Sequence, residues 1–413
     1  MASASVQQQP LTVVADVVGH PRSEVEKLLD DAEDQVLEGL ARVTTLHFGR
    51  FVVFERAEGV VALVFESNHD GDLEGHLGEL QARIGAHLDA FFGCCAGYQA
   101  GGFVAFAKAH QIAPRTFYLG HMGLAVPQIL HDRKVRTAID AWLDAKDAAG
   151  ELRSMGSRDI AQGLKAHLAT ESLEVGPVDR GFPRQPWAKG VFLAGMLPGY
   201  VLIETALAAI AYLFLEPADR RAEKKDPPAL RSDHDPYVDA LIDAEDLHFQ
   251  NGLTHVVPVK PGFFRDKALR LALSFVNQAR RALYYTGTLG GIASIHFARW
   301  VLLDDGTLVF FSNYDGSWES YLGDFIDKAH WFLTAIWTNT KWFPTTHGLA
   351  FAGASAAAPF EQWARTFQVR NQIWYSAYPD LSVTQVLGNA RIRELAGGEL
   401  MHDDESRRWL ALL

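Results

Sequence analysis

Cysteine is almost absent from this chain of 413 residues, which has only two, Cys94 and Cys95. Adjacent cysteines are strained as a disulfide, so a disulfide scaffold and a four-cysteine zinc site are excluded. Positive charge is scarce as well. Lys and Arg total 38 against 50 Asp and Glu, a formal net charge of -12, which argues against nucleic acid as a partner. The first ten residues, ending Gln7, Gln8, Gln9 and Pro10, lack a basic start followed by an apolar run, so no secretory leader is expected and a cytoplasmic location is the default. Nucleophile elbow, phosphate loop, zinc-protease histidine pair and dinucleotide fingerprint are all missing. The glycine-rich stretch Gly287 to Ile292 precedes a strand instead of opening a helix and reads as a turn. Apolar residues, by contrast, make up 48% of the chain, enough for a large core and too many for disorder.

What the chain does contain is itself, twice. His47–Glu55 (HFGRFVVFE) matches His296–Asp304 (HFARWVLLD), Glu66–Leu80 matches Phe311–Phe325, and Phe117–Leu130 matches Trp374–Leu387, with 4 of 9, 7 of 15 and 5 of 14 identities in the same order. His47 precedes Asn68 by 21 residues and His296 precedes Asn313 by 17, which predicts a longer hairpin loop in the first copy. Apolar periodicity gives each copy the order strand, helix, strand, strand, helix. The helices are Arg22–Val43 and Leu73–Phe92 in one copy, Phe264–Tyr285 and Trp318–Trp337 in the other. A helix, strand and helix extension follows each. The expected fold class is α+β: tandem ferredoxin-like modules, 1–146 and 246–413, forming a pseudo-dimeric α/β barrel, with a helical hydrophobic insertion, 147–245, between them. Both faces of the strand at His47–Val53 are apolar, so each sheet needs helices on one side and the other sheet on the second.

The insertion carries Val191–Leu215, whose only charge is Glu204, between Arg184 and Lys189 on one side and Arg220, Arg221, Lys224 and Lys225 on the other. Its length suits a bilayer, but Pro198 and Gly199 interrupt it, and the remainder, Tyr200–Leu215, spans only about 24 Å as a helix. A shallow insertion or re-entrant hairpin is expected over a full crossing, with a buried helical hairpin as the competing reading. Phe263–Tyr285 has the make-up of a basic interfacial helix and equally that of a sheet cover. Asp226, Pro227, Pro228 and the acidic stretch from Asp233 to Asp246 read as a linker.

Candidate chemistry falls on the repeated polar residues. His47 and His296 each lie three residues before an arginine, Arg50 and Arg299. Strand alternation therefore sends His and Arg to opposite faces. Buried arginines need partners, and the nearest recurring carboxylates are Asp70 with Glu74 and Asp315 with Glu319. The N-x-D-G turns at Asn68 and Asn313 read as strand ends and helix caps. His69, Asp70, Asp72, Glu74 and His76 have metal-ligand chemistry, but His69 and His76 become Tyr314 and Tyr321 in the second copy, so no metal is assigned. His330 breaks the symmetry, matching Gly85.

At the repeated HF(A/G)R and SNxDG blocks the chain resembles an uncharacterised bacterial family with the same duplication. More distantly it is similar to the dimeric α/β-barrel superfamily, which includes the dye-decolorising peroxidases, the chlorite dismutases and cofactor-free monooxygenases. The peroxidases carry a GxxDG motif with a distal Asp, and here Ser replaces its first Gly. That resemblance implies a heme-dependent, peroxidase-like oxidoreductase acting on a hydrophobic substrate. Asp315 (or its counterpart Asp70) would be the distal acid/base, Arg299 (or Arg50) the stabiliser of oxyanion charge, and His330, His296 or His47 the axial ligand. Two alternatives stand beside it: a non-catalytic protein binding lipid or another hydrophobic ligand and docked to a bilayer through Val191–Leu215, and a cofactor-free oxygenase. A peripheral or monotopic place at the inner membrane is compatible with all three.

Overall fold

A computed structural model describes residues 7–56, 59–177, 190–225, 230–231, 235–246, 248–283, 291–349, 351–398 and 403–413. Arg184, Lys189, Asp226, Pro227, Pro228, Asp233 and most of the Gly287–Ile292 stretch lie outside the described residues. The class is α+β. In the first half the order is β1 (Gln8–Asp16), α1 (Arg22–Leu40), β2 (Leu46–Glu55), β3 (Val61–Asp70), α2 (Leu73–Phe92), α3 (Phe103–His110), β4 (Thr116–Leu119), α4 (Val126–Ala148) and α5 (Ser157–Thr170). A long helix, α6 (Phe192–Lys225), and α7 (Pro236–Asp246) follow. The second half comprises β5 (Gln250–Pro258), α8 (Phe263–Leu283), β6 (Ile295–Leu302), β7 (Thr307–Asp315) and α9 (Trp318–Trp337), then β8 (Thr346–His347) and β9 (Phe351–Ala352). It closes with α10 (Ala357–Thr366), β10 (Ile373–Ser376), α11 (Val383–Ala396) and α12 (Asp403–Leu410).

Eight strands form two antiparallel four-stranded sheets, β1-β3-β2-β10 and β4-β6-β7-β5, and β8 pairs with β9 in a small hairpin. Their edges are exchanged: β4, from the first half, pairs with β6, and β10, from the second, pairs with β2. Each half therefore completes the other's sheet. The outer face of the first sheet (Leu11, Val13, Phe51, Val53, Leu63, Phe65) is covered by α1, α2 and α3. The outer face of the second (Val257, Trp300, Leu302, Leu308, Phe310) is covered by α8, α9 and α10. Between the sheets Val14, Val52, Phe54, Ala62 and Val64 meet Val256, Val301, Leu303, Val309 and Phe311. Apolar residues on both faces of the central strands thus have partners on both sides.

Three expectations need correction. The four extra residues of the first copy lie in its hairpin arms, because the pairs Phe54↔Ala62 and Glu55↔Val61 extend β2 and β3, while both turns close with the same five-residue bond, Arg56 N to Val60 O and Leu303 N to Thr307 O. The helix does not break at Pro198. A wide turn over Phe192–Met196, in which the Leu197 N–H reaches back to Phe192 O, directly precedes the proline, and such a turn makes room for the ring and its missing donor. Nor is the insertion a hairpin: α6 is one helix of 34 residues, about 51 Å long.

Candidate functional site between the sheets

Alternation fails at one residue in each copy, and that residue is the histidine. In β2 the register slips between Leu46 and Phe48, and in β6 between Ile295 and Phe297, so His47 and His296 sit in β-bulges. A bulge adds one residue to one strand and turns the following side chains over. Leu46 then packs under the helices, whereas His47 lies against Phe297 across the sheet interface, ring centroids 5.2 Å apart. His and Arg therefore share the inward face, contrary to the expectation of opposite faces.

Their partners differ from the expected ones as well. Nε2 of His47 is 2.8 Å from Asp70 Oδ1, and Nε2 of His296 is 2.7 Å from Asp315 Oδ1. The second oxygen of each Asp accepts a backbone N–H at the first residue of an extension helix, Val126 for Asp70 at 2.8 Å and Val383 for Asp315 at 2.9 Å. The helix caps are Asp72 and Ser317 instead. Gly71 and Gly316 have φ of 77° and 84°, a backbone conformation that favours glycine.

The arginines cross between the sheets. Arg50 donates to Leu253 O at 2.8 Å, Ser312 O at 3.0 Å and the Asn313 side chain, while Arg299 donates to Leu11 O at 2.8 Å, Ser67 O at 2.8 Å and the Asn68 side chain. Among the described residues one carboxylate pairs with both: Glu66 lies 2.8 Å from Arg50 Nε and 2.5 Å from Arg299 Nη2. All three side chains are buried, at 1% exposure or less. Glu74 pairs with Lys108 and Glu319 with Arg365, so the repeated carboxylates do not serve the arginines. Burial pulls Arg299 down to about 10, partly offset by Glu66 and reinforced by Arg50. Repeat-based reading missed Glu66 because Phe311 stands at its counterpart. The available signal was a lone carboxylate ending the apolar run Val61–Phe65.

Two further rings complete the centre. His121 and Tyr378 occupy matching positions of the third repeated block, and both are fully buried. Tyr378 Oη lies 2.8 Å from His47 Nδ1 and 3.2 Å from His121 Nε2. Burial, then the neighbouring His296 and His47, lowers His121, and burial with Asp70 and Asp315 nearby raises Tyr378, so both are neutral near pH 7. Gln8 sets the direction of donation. Its Oε1 accepts from Gly123 N at 3.0 Å, leaving its amide hydrogens for Leu124 O at 2.9 Å and His121 Nδ1 at 3.5 Å. His121 Nε2 then donates to Tyr378, Tyr378 to His47 Nδ1, and His47 Nε2 to Asp70, a tautomer set assigned from the network. The second copy differs where Tyr is replaced by His121: its ring centroid is 5.4 Å from that of His296.

The other candidates lie elsewhere. His69 and His76 stack with ring centroids 4.1 Å apart, matched by Tyr314 and Tyr321 at 4.0 Å; no group of three or more metal-ligating side chains is found among the described residues. His330 is half-buried on α9, with Nδ1 donating to Ile326 O at 2.9 Å, on the helical layer outside the second sheet.

A heme needs a free axial nitrogen facing a slot wide enough for the macrocycle. Both ring nitrogens of His47 are bonded; His296 bonds Asp315 through Nε2, and its buried Nδ1, without a hydrogen-bond partner among the described residues, is enclosed by the rings of Phe48, His121 and Tyr378 at 5.2, 5.4 and 5.9 Å, which leave no slot for a macrocycle. Arg299 and Asp315 spend their polar atoms on protein partners. The residues present do not fit a heme, and no step is derived through one.

No family model, no curated protein and no solved structure matches this chain.

Proposed function

We propose that this chain is a peripheral, monotopic membrane protein that binds a lipid surface, built on two ferredoxin-like modules arranged as a pseudo-dimeric α/β barrel. In this reading the barrel interior is a cross-linked core, and the working surface is α6. One observation carries it: the apolar helix is attached along one side and bare along the other. Phe192 packs on Phe275 and Ala279 of α8, and Ala211 packs on Ala268 and Leu349, so α6 runs antiparallel to α8 and touches the body near both ends of the apolar run. Val201, Leu202, Leu213 and Phe214 face outward at 55%, 74%, 62% and 68% exposure.

A helix fixed to a water-soluble body at both ends has no free end to thread across a bilayer. Lying in the interface plane instead buries its outer face. Nine exposed apolar side chains of α6 and its start, from Val191 to Phe214, each gain on the order of 1 kcal/mol, which together is enough for stable attachment. An apolar patch of this extent on an otherwise charged surface marks an interaction site. The test is flotation of the full chain with phosphatidylcholine vesicles. The parent is expected in the vesicle fraction and the variant L202Q/L213Q/F214Q in the protein fraction; a parent that stays in solution ends the reading.

A further inference from the structure

Resting on that reading, we infer that the docked face selects anionic headgroups, and that they are held at the C-terminal end of α6. The chain as a whole is acidic, with a formal net charge of -12, yet among the described residues around this end eight cations, on Arg220–Lys225, Lys260 and the first turns of α8, meet four carboxylates.

The carboxylates are occupied by the inner cations. Asp219 pairs with Arg265 and with Lys260 at 3.4 Å, Glu223 with Lys260 at 3.3 Å, and Asp266 with Arg270 at 2.7 Å and Lys267 at 3.5 Å. Glu216 is buried and accepts from Thr346 and Leu349. Arg221, Lys224 and Lys225 are exposed and make no ion pair among the described residues. They begin about two helical turns beyond the exposed Tyr212, Leu213 and Phe214, and the 73%-exposed Phe351 belongs to the β8–β9 hairpin whose connection carries Leu349, the residue on which Ala211 packs. Lys267 lies over the exposed Phe263 ring at 5.3 Å. Aromatic side chains at headgroup depth with lysines and arginines beyond them match the layering of an anionic bilayer surface, and not that of a second acidic copy of this chain.

The experiment compares vesicles of phosphatidylcholine alone with vesicles in which a third of the lipid is phosphatidylserine, using the full chain. Each cation near such a surface is worth about fivefold in affinity. R221Q/K224Q/K225Q is therefore expected to lose roughly a hundredfold on the anionic vesicles, to bind the neutral ones as the parent does, and to keep the parent's melting temperature. The parent's preference should also collapse at an ionic strength of about 1 M. Equal binding of the parent to both vesicles, or a preference that survives the triple substitution, overturns the inference while leaving docking intact. Binding to neither overturns docking as well.

Discussion

Glu66 is the most exposed point of the account, although its side chain is buried. Among the described residues it is the one carboxylate paired with two guanidinium groups that cross between the sheets, so Glu66→Gln keeps the shape and removes the charge. Burial holds Arg299 at about 10, well below an ordinary guanidinium, even with Glu66 in place, a difference worth on the order of 3 kcal/mol. Removing that counter-charge adds the pairing energy to that burden, and breaking one side of a buried pair costs about 3 to 5 kcal/mol in general. We expect a loss of at least about 4 kcal/mol in urea unfolding followed by far-UV circular dichroism. The sign with pH follows from linkage. A guanidinium held below its unfolded value favours the unfolded state while charged, and without Glu66 Arg299 loses its proton below the parent's value of about 10, so part of the deficit returns as pH rises toward about 10. A loss under about 1 kcal/mol would falsify the claim that Glu66 neutralises the interface.

Three other outcomes are expected. His69 and His255 are held down to about 4 and about 3 by burial, below an unfolded value near 6.5, so their stability is fully present above pH 6.5 and is lost as pH falls toward 4 and then 3. His255→Val, which installs the residue found at the matching Val13, should flatten the lower part of that acid limb in a melting-temperature series; an unchanged limb refutes the assignment. A Cβ on Gly120 would stand 2.2 Å from Ile295 O, next to the exchanged strand β4, so Gly120→Ala should cost about 1 to 3 kcal/mol in the same urea assay; a neutral result would mean that the exchanged edge is loose. Asp70→Asn and Asp315→Asn each replace a carboxylate that joins a buried histidine to the first N–H of an extension helix. Losses of about 1 to 3 kcal/mol are expected for each, and hydrogen exchange should rise first in α4 for the former and α11 for the latter. Faster exchange spread evenly over the chain would count against that anchoring.

Much of this architecture was legible because it is written twice. The helices Leu73–Phe92 and Trp318–Trp337 end where periodicity put them, and the two-sheet arrangement follows from strands apolar on both faces. Local pattern fell short where geometry departs from the ideal. One inserted residue at His47 and His296 inverts every later side-chain direction in the strand, and nothing in HFGR or HFAR announces it. Strand exchange was invisible for a related reason: β4 and β10 have the same sequence character whichever sheet receives them. Glu66 has no carboxylate counterpart in the second copy, where Phe311 stands, so repetition does not point to it. Pro198 was read as a break because a wide turn ahead of a proline has no residue signature.

The orientation of α6 relative to lipid is the central claim, and depth measurement reaches it most directly. Nitroxide labels at Leu193, Leu202 and Leu213, spaced along the outward face, can be read by paramagnetic accessibility on phosphatidylserine-containing vesicles. The account predicts that all three report the same shallow depth, about 5 to 10 Å below the headgroups. Depths that increase steadily along the helix, or labels that stay fully in water, would contradict it.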